Sequence, residues 1–252
     1  MRPSRLIFAV TILLCSVAVT AQQPKSYSSR KSTKSGPAAA VKQYTIEQFM
    51  DTIRIGGSSF SPDEKSILFH NNKSGIFNVY TVPVTGGDAK QLTNSTREST
   101  YAVSYFPTDS RIIYTYDRGG NENSHLYVKE ADGSERDLTP GDKVKANFLG
   151  WSHDRRSFFY STNERDARFF DIYEMPISDF KRTLIYKDET GLDIGDISND
   201  KKFIAFQKTG GSAADADIYL YNAATKEMKN ITPTALPETS SGNAAPDIAP
   251  SL

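Results

Sequence analysis

One cysteine stands in 252 residues. It is Cys15, inside an apolar leader. A disulfide framework or a cysteine-based metal site is therefore excluded for the rest of the chain. Histidine is nearly as scarce. The three residues, His70, His125 and His153, are scattered through different parts of the sequence pattern, so no metal centre and no cofactor are expected. Net charge is also absent overall, because 30 Lys and Arg balance 30 Asp and Glu, but the balance is uneven. Residues 1–42 hold seven bases and no acid, which leaves 23 bases against 30 acids, a net of −7, in the remainder. That sign argues against a nucleic-acid surface on the folded part.

What is present begins with a secretory pattern. Arg2 and Arg5 precede an apolar run over residues 6–19, and Val19-Thr20-Ala21 offers small residues for cleavage before Gln22. Residues 1–21 are read as a signal peptide and the chain as secreted or periplasmic. A membrane anchor is the rival reading, but the run is shorter than the roughly 20 residues a spanning helix needs. No membrane span is expected once the leader is removed. Leu14 is too bulky a neighbour for lipoprotein processing at Cys15. Residues 22–43 are rich in Ser, Lys and Gln and read as a flexible linker. Thr45-Ile46-Glu47-Gln48 then has the form of a capping box, which predicts a short helix through Phe49 and Met50.

The main signal is a repeat. Phe60-Ser61-Pro62-Asp63-Glu64-Lys65 is a turn, followed by the apolar triplet Ile67-Leu68-Phe69. The unit recurs at Tyr105-Phe106-Pro107, Trp151-Ser152-His153 and Ile197-Ser198-Asn199, with spacings of 45, 46 and 46 residues. Each copy carries its own triplet. A polar–apolar–Tyr step follows in each (Asn78-Val79-Tyr80, His125-Leu126-Tyr127, Asp171-Ile172-Tyr173, Asp217-Ile218-Tyr219). The copies close at Leu92-Thr93, Leu138-Thr139, Leu184-Ile185 and Ile231-Thr232. A period of this size is that of propeller blades. The expected fold is all-β, with four blades of four antiparallel strands forming an incomplete propeller over 44–232 (blades at about 58–93, 103–139, 149–186 and 195–232). In the second copy the strands are placed at 101–106, 111–117, 124–130 and 134–139, around turn formers such as Asp132-Gly133. Residues 233–252 are a disordered tail or the start of a truncated fifth repeat, since Asp247-Ile248-Ala249-Pro250-Ser251 echoes the first turn.

Few residues suggest chemistry. A hydrolase nucleophile elbow needs Gly-x-Ser-x-Gly. The nearest strings, Gly56-Gly57-Ser58-Ser59-Phe60 and Gly210-Gly211-Ser212-Ala213-Ala214, both lack the last Gly. No catalytic residue is assigned. Asp117, Asn121, Glu122 and Asn123 surround Gly119-Gly120 and form either a loop facing a substrate or a missing domain, or an ordinary hairpin loop. Glu164, Arg165, Asp166 and Arg168 are a second charged loop, with a solvated surface as the alternative. Asp193 and Asp196 have no His, Cys or Ser partner at useful spacing. Asp171 and Asp217 recur at one blade position and read as architecture. Phe60, Tyr105 and Trp151 read the same way, as packing between sheets.

The Phe-Ser-Pro-Asp turn, apolar triplet and closing Leu-Thr resemble the TolB-like propeller repeats of periplasmic proteins. The stretch 49–63, Asn78-Val79-Tyr80 with Gly86-Gly87, the run 117–123 and Asn163-Glu164-Arg165-Asp166 go further. They resemble the N-terminal propeller of secreted serine peptidases of the prolyl oligopeptidase family, in its acylaminoacyl-peptidase and dipeptidyl-peptidase branch. The resemblance implies a non-catalytic gating and packing domain. Its partner would be a C-terminal α/β-hydrolase domain carrying the Ser-Asp-His triad, or a protein or peptide. That domain is the point of departure, because no such sequence follows the last repeat here. A stand-alone periplasmic interaction module is the alternative.

Overall fold

The computed structural model describes residues 41–209 and 216–233. The signal peptide, nearly all of the linker, the string Gly210-Gly211-Ser212-Ala213-Ala214 and the echo at 247–251 lie outside the described residues. The chain divides into two compact units, 1–49 and 50–252. The helix α1 (Ile46–Met50) begins in the first. Its start is set by the expected box: Thr45 N donates to Gln48 Oε1 at 3.1 Å and Gln48 N donates to Thr45 Oγ1 at 3.2 Å.

The second unit is four sheets of four strands. Blade 1 comprises β1 (Ile55–Phe60), β2 (Ser66–Asn71), β3 (Asn78–Pro83) and β4 (Lys90–Gln91). Blade 2 comprises β5 (Tyr101–Tyr105), β6 (Ile112–Tyr116), β7 (His125–Lys129) and β8 (Glu135–Asp137). Blade 3 comprises β9 (Ala146–Trp151), β10 (Ser157–Thr162), β11 (Asp171–Pro176) and β12 (Thr183–Tyr186). Blade 4 comprises β13 (Asp193–Ile197), β14 (Phe203–Thr209), β15 (Ala216–Asn222) and β16 (Met228–Asn230). In every sheet the strands pair antiparallel in sequence order, and no strand is exchanged between sheets. The fold is the expected all-β array of blades, and no sheet closes on itself among the described residues.

The repeated turn works through one serine and one aspartate. In blade 3, Ser152 Oγ donates to Asp154 Oδ1 at 2.7 Å and accepts from Ser157 N at 3.0 Å, while Arg156 N donates to Asp154 Oδ1. Blades 1 and 4 repeat this set with Ser61 and Asp63 and with Ser198 and Asp200. The next residue in each, Glu64, Arg155 and Lys201, takes a left-handed backbone with φ of 57°, 59° and 60°. Blade 2 has Phe106 in place of the serine. Its Asp109 instead caps Arg111 N at 3.0 Å. The first strand of each blade also carries an irregular pairing at one position, between Gly56 and Ser59, at Val103, at Leu149 and at Gly195. These bulges recur at the repeat spacing and twist each first strand alike.

Packing runs between blades. Alternate residues of each strand point to opposite faces, so each blade has a leading face toward the preceding blade and a trailing face toward the next. Leu68 and Val79 of blade 1 meet Tyr105, Ile112, Tyr114 and Tyr127 of blade 2. Ile113, Leu126 and Val128 on the other face of blade 2 meet Phe158, Tyr160 and Met175 of blade 3. Ile172 and Tyr186 of blade 3 meet Ile204, Phe206 and Tyr221 of blade 4. Each fully buried side chain of this size contributes roughly 1.5–3 kcal/mol. A turn hydrogen bond contributes roughly 0.5–1.5 kcal/mol. Interblade burial therefore dominates, and the turns set register.

Two sequence landmarks land differently. The close of blade 3 is Tyr186, not Leu184-Ile185. An irregularity between Ile172 and Tyr173 pairs Ile172 with Tyr186, which buries Tyr186 and leaves Leu184 47 % exposed. Tyr105 is buried and Trp151 half-buried, as expected of packing residues, but Phe60 is 62 % exposed. Its position is equivalent, yet no blade precedes it among the described residues. Blades 1 and 2 are drawn close by Gly57, whose φ is 59° and where a Cβ would lie 2.7 Å from Ala102 O. His70 Nδ1 accepts from Ala102 N at 3.1 Å across the same junction. Burial pushes the His70 pKa down, which favours this neutral acceptor.

The turn geometry predicts acid sensitivity. The hydroxyls of Ser61, Ser152 and Ser198, followed by backbone N–H groups, hold Asp63, Asp154 and Asp200 below the ordinary value of 3.8, Asp200 at about 2. A carboxylate whose pKa falls on folding adds stability above its unfolded pKa and loses it as pH drops through the folded one. For Asp200 the window runs from about 4 down to about 2. Thermal midpoints measured from pH 5 to pH 2 should fall steeply for the parent chain. They should fall less for Asp200→Asn, which keeps an acceptor oxygen but cannot titrate. Equal losses would contradict the assignment.

Candidate functional site

An antiparallel meander sorts its connections. The links between second and third strands share one rim with the crossings from blade to blade. The links between first and second and between third and fourth strands share the other. Both candidate loops, 117–124 in blade 2 and 163–170 in blade 3, are second-to-third links and so stand on the same rim.

The blade 2 loop brings Asp117, Asn121, Glu122 and Asn123 together. Asp117 Oδ2 accepts from Glu122 N at 2.8 Å, and Asn121 Oδ1 accepts from Asn123 N at 2.9 Å. Gly119, Gly120 and Glu122 all have positive φ, of 68°, 69° and 60°. The two glycines take that conformation without the Cβ clash another residue meets. Asp117 and Asn121 thus shape the loop, and exposed Glu122 holds its carboxylate outward at the tip.

The blade 3 loop is tied down rather than free. Arg165 forms a two-pronged pair with Asp171, at 2.6 Å and 2.7 Å, and donates to Asp188 O at 2.5 Å. Asp171 is 1 % exposed and also accepts from Asp188 N at 2.8 Å. Asp188 in turn accepts from Phe170, Thr190 and Gly191 N–H groups. Arg168 clasps Asp166 and holds that carboxyl well below its usual range. Glu164 pairs with Arg182, whose guanidinium also lies 5.0 Å from the Tyr173 ring. Arg165 is therefore structural, anchored on a buried carboxylate, and the purely solvated reading of this loop is too weak for it. No hydrogen bond or ion pair joins the two loops among the described residues.

Of the cavities between adjacent blades, two open on the rim that carries the candidate loops. One, of about 380 Å³, lies between blades 3 and 4, with Leu149, Ile194 and Phe206 as its apolar lining and Arg168, Asn147 and Asp193 as polar groups. The other, of about 310 Å³, lies between blades 1 and 2 against Thr100, Tyr114, Tyr116 and Glu135. Asp196 accepts from Ile197 N, and Asp193 and Asp196 remain exposed on β13, where Asp196 lines a cavity of about 120 Å³ together with His153 and Ser198.

Sequence reasoning missed one constellation. His125 Nδ1 lies 2.8 Å from Asp137 Oδ2, the approach a general base needs from its orienting carboxylate. Its Nε2 is occupied by Gly141 O, also at 2.8 Å, so neither ring nitrogen is open to a substrate. The pair closes the blade and does not catalyse. No spacing rule would have flagged Asp137. In the first strand, Ser59 Oγ accepts from Tyr105 N at 3.0 Å and lies 3.2 Å from Ser104 Oγ. Ser104 Oγ in turn receives Trp151 Nε1–H at 2.9 Å. Ser59, the residue after the elbow-position Ser58 in Gly56-Gly57-Ser58-Ser59-Phe60, is thus part of a polar thread through three blades. Among the described residues no cluster of three or more His, Cys, Asp or Glu is placed to hold a metal.

The architecture defines a class by fold alone: an all-β array of four-stranded propeller blades. Comparison with known proteins agrees. The chain is 32 % identical over 134 residues to a dipeptidyl aminopeptidase BIII of Pseudoxanthomonas mexicana. The match takes in 51 % of this chain and 19 % of that protein, so the chain spans only a small part of its relative's length. In three dimensions it is similar to TolB from Acinetobacter baumannii, with a TM-score of 0.51, 19 % identity and coverage of 73 % of this chain and 44 % of that one. It is also similar to a prolyl endopeptidase, with a TM-score of 0.54, 12 % identity and coverage of 71 % and 28 %. At these identities the structural likeness concerns the fold. No family model matches the chain. No helix among the described residues is long and apolar enough to cross a membrane.

The geometry separates scaffold from candidate site. Asp171→Ala removes the acceptor of a buried amide and should destabilise the chain by roughly 1–3 kcal/mol in urea unfolding. Glu122→Gln should leave the urea midpoint where it is, since the Glu122 carboxylate takes no part in the loop's hydrogen bonds. A large loss at Glu122 would make it scaffold too.

Proposed function

We propose that this chain is the non-catalytic propeller portion of a secreted serine peptidase of the prolyl oligopeptidase family. Its roles are to gate access and to pack against a hydrolase domain that carries the chemistry. The observation that carries the reading is the 134-residue likeness to a dipeptidyl aminopeptidase, on a chain whose blades have the fold of a prolyl endopeptidase's propeller. Asp117, Asn121, Glu122 and Asn123 form the loop that faces the substrate or the hydrolase, with the Glu122 carboxylate offered to the cationic N-terminus of a short peptide. In a site shielded from water such a pair is stronger than at an open surface.

A second reading has its own support. The likeness to TolB covers 73 % of this chain without any peptidase domain being invoked. In that case the chain is a periplasmic interaction module that captures a protein partner through its rim or a blade face.

The test is to read the source DNA beyond the codon for Leu252 in all three frames and to express what it encodes. The peptidase reading expects further blades, then Gly-x-Ser-x-Gly with later Asp and His. It expects an enzyme that releases short N-terminal fragments from peptides. Glu122→Gln in that enzyme should raise KM several-fold with little change in kcat, the signature of lost ground-state binding. A stop codon followed by unrelated sequence in every frame would remove the peptidase reading and leave the interaction module.

A further inference from the structure

The cavity of about 380 Å³ between blades 3 and 4 carries chemistry that blade packing does not explain. The first strands β9 and β13 supply Asn147, Leu149, Asp193 and Ile194, the loop 163–170 supplies Arg168, and β14 supplies Phe206. Leu149 and Ile194 are half-buried and Phe206 is buried, so the floor is apolar. The volume lies near the lower end of the roughly 300–1,000 Å³ of small-molecule sites. An occupant the size of one or two amino acids matches it.

The polar groups around that floor divide into those already satisfied and those left open. Asp188 also lines the cavity, but its Oδ1 accepts from Thr190 N at 2.9 Å and Gly191 N at 3.0 Å, and its Oδ2 from Phe170 N at 3.2 Å. Arg168 uses only one edge of its guanidinium. Its Nε and Nη2 donate to Asp166 at 3.0 Å and 2.8 Å, and Nη1 has no acceptor among the described residues. The Asp193 carboxylate has neither a hydrogen bond nor an ion pair among the described residues. Asn147 Nδ2 donates to Ser161 Oγ at 3.4 Å, which leaves its Oδ1 as a second acceptor.

One cationic edge and one carboxylate thus stand open beside one apolar floor. A lone anion at Arg168 would also meet Asp166 and Asp193. A lone cation at Asp193 would also meet the guanidinium. A molecule with both charges and an apolar side chain satisfies all three features. We infer that this cavity binds a small apolar zwitterion, an amino acid or dipeptide with free amino and carboxylate groups. Asp193 and Asn147 Oδ1 accept from its ammonium, Arg168 Nη1 donates to its carboxylate, and its side chain covers Leu149, Ile194 and Phe206. Both polar contacts are charge-assisted, the stronger kind of hydrogen bond. The site is built by blades 3 and 4 alone, whereas Glu122 belongs to blade 2, so the inference is independent of the peptidase reading.

Isothermal titration calorimetry of the full chain with L-leucine and with L-leucyl-L-leucine tests it, and the tighter of the two gives the length of the occupant. The same probe with its amine acetylated, or with its carboxylate amidated, should bind at least about tenfold more weakly. Asp193→Asn and Arg168→Gln each alter an exposed side chain, and circular dichroism should show both folded. Each should weaken binding of the free probe at least about tenfold. Asp193→Asn should also narrow the gap between the free and acetylated probes, and Arg168→Gln the gap between the free and amidated probes. A merely structural role for either residue would not give that pairing. No binding of either probe up to about 10 mM overturns the inference. So does binding that either capped form matches, or binding that is indifferent to both variants.

Discussion

Contact between the trailing face of one blade and the leading face of the next is the interaction on which the rest of this structure depends. A four-stranded meander alone is a small sheet with two apolar faces, and neither can stay in water without cost. Stacking removes both. Blade 2 shows the consequence most fully. Ile112, Tyr114 and Tyr127 are covered by blade 1, and Ile113, Leu126 and Val128 are covered by blade 3. The alternation along one strand therefore means burial on both sides, not core against solvent. Stability in such an array is close to a sum over blades and junctions.

This division of labour leaves the rims free to vary. Apolar positions are spent on junctions and the serine–aspartate turns on register, so function must be carried by loops that neither task consumes. The loops 117–124 and 163–170 on one rim behave differently for this reason. At 163–170 the charges are drawn inward, since Asp171 is buried and needs Arg165 to compensate it. At 117–124 the polar side chains fold the loop on itself and leave Glu122 at its tip. A carboxylate presented in that way can meet a cation from elsewhere. The one paired with an arginine at a strand start cannot.

Much of this was legible in the residues because the repeat imposes it. The strands of blade 2, the turn at Ser61, Ser152 and Ser198 and the capping box at Thr45 follow from local pattern, and local pattern is what a sequence displays directly. The failures are of another kind. Phe60 shares its landmark with Tyr105 and Trp151 yet is exposed, because burial belongs to the neighbouring blade and not to the residue. Tyr186 replaces Leu184-Ile185 at the close of blade 3 because a pairing irregularity opposite Ile172 shifts the register by one. His125 with Asp137 and Arg182 with Glu164 are pairs 12 and 18 residues apart. Neither separation recurs as a like pair in the other blades, so periodicity is silent about them.

Hydrogen exchange, followed residue by residue, bears most directly on the claim that junctions hold the fold. Local and global openings are separated by such data. The account predicts the slowest exchange in β6, β7, β10 and β11, whose sheets are covered on both faces. Faster exchange is predicted in blades 1 and 4, through openings that leave the middle pair intact. Equal protection in all four blades, or greater protection in blades 1 and 4, would contradict it.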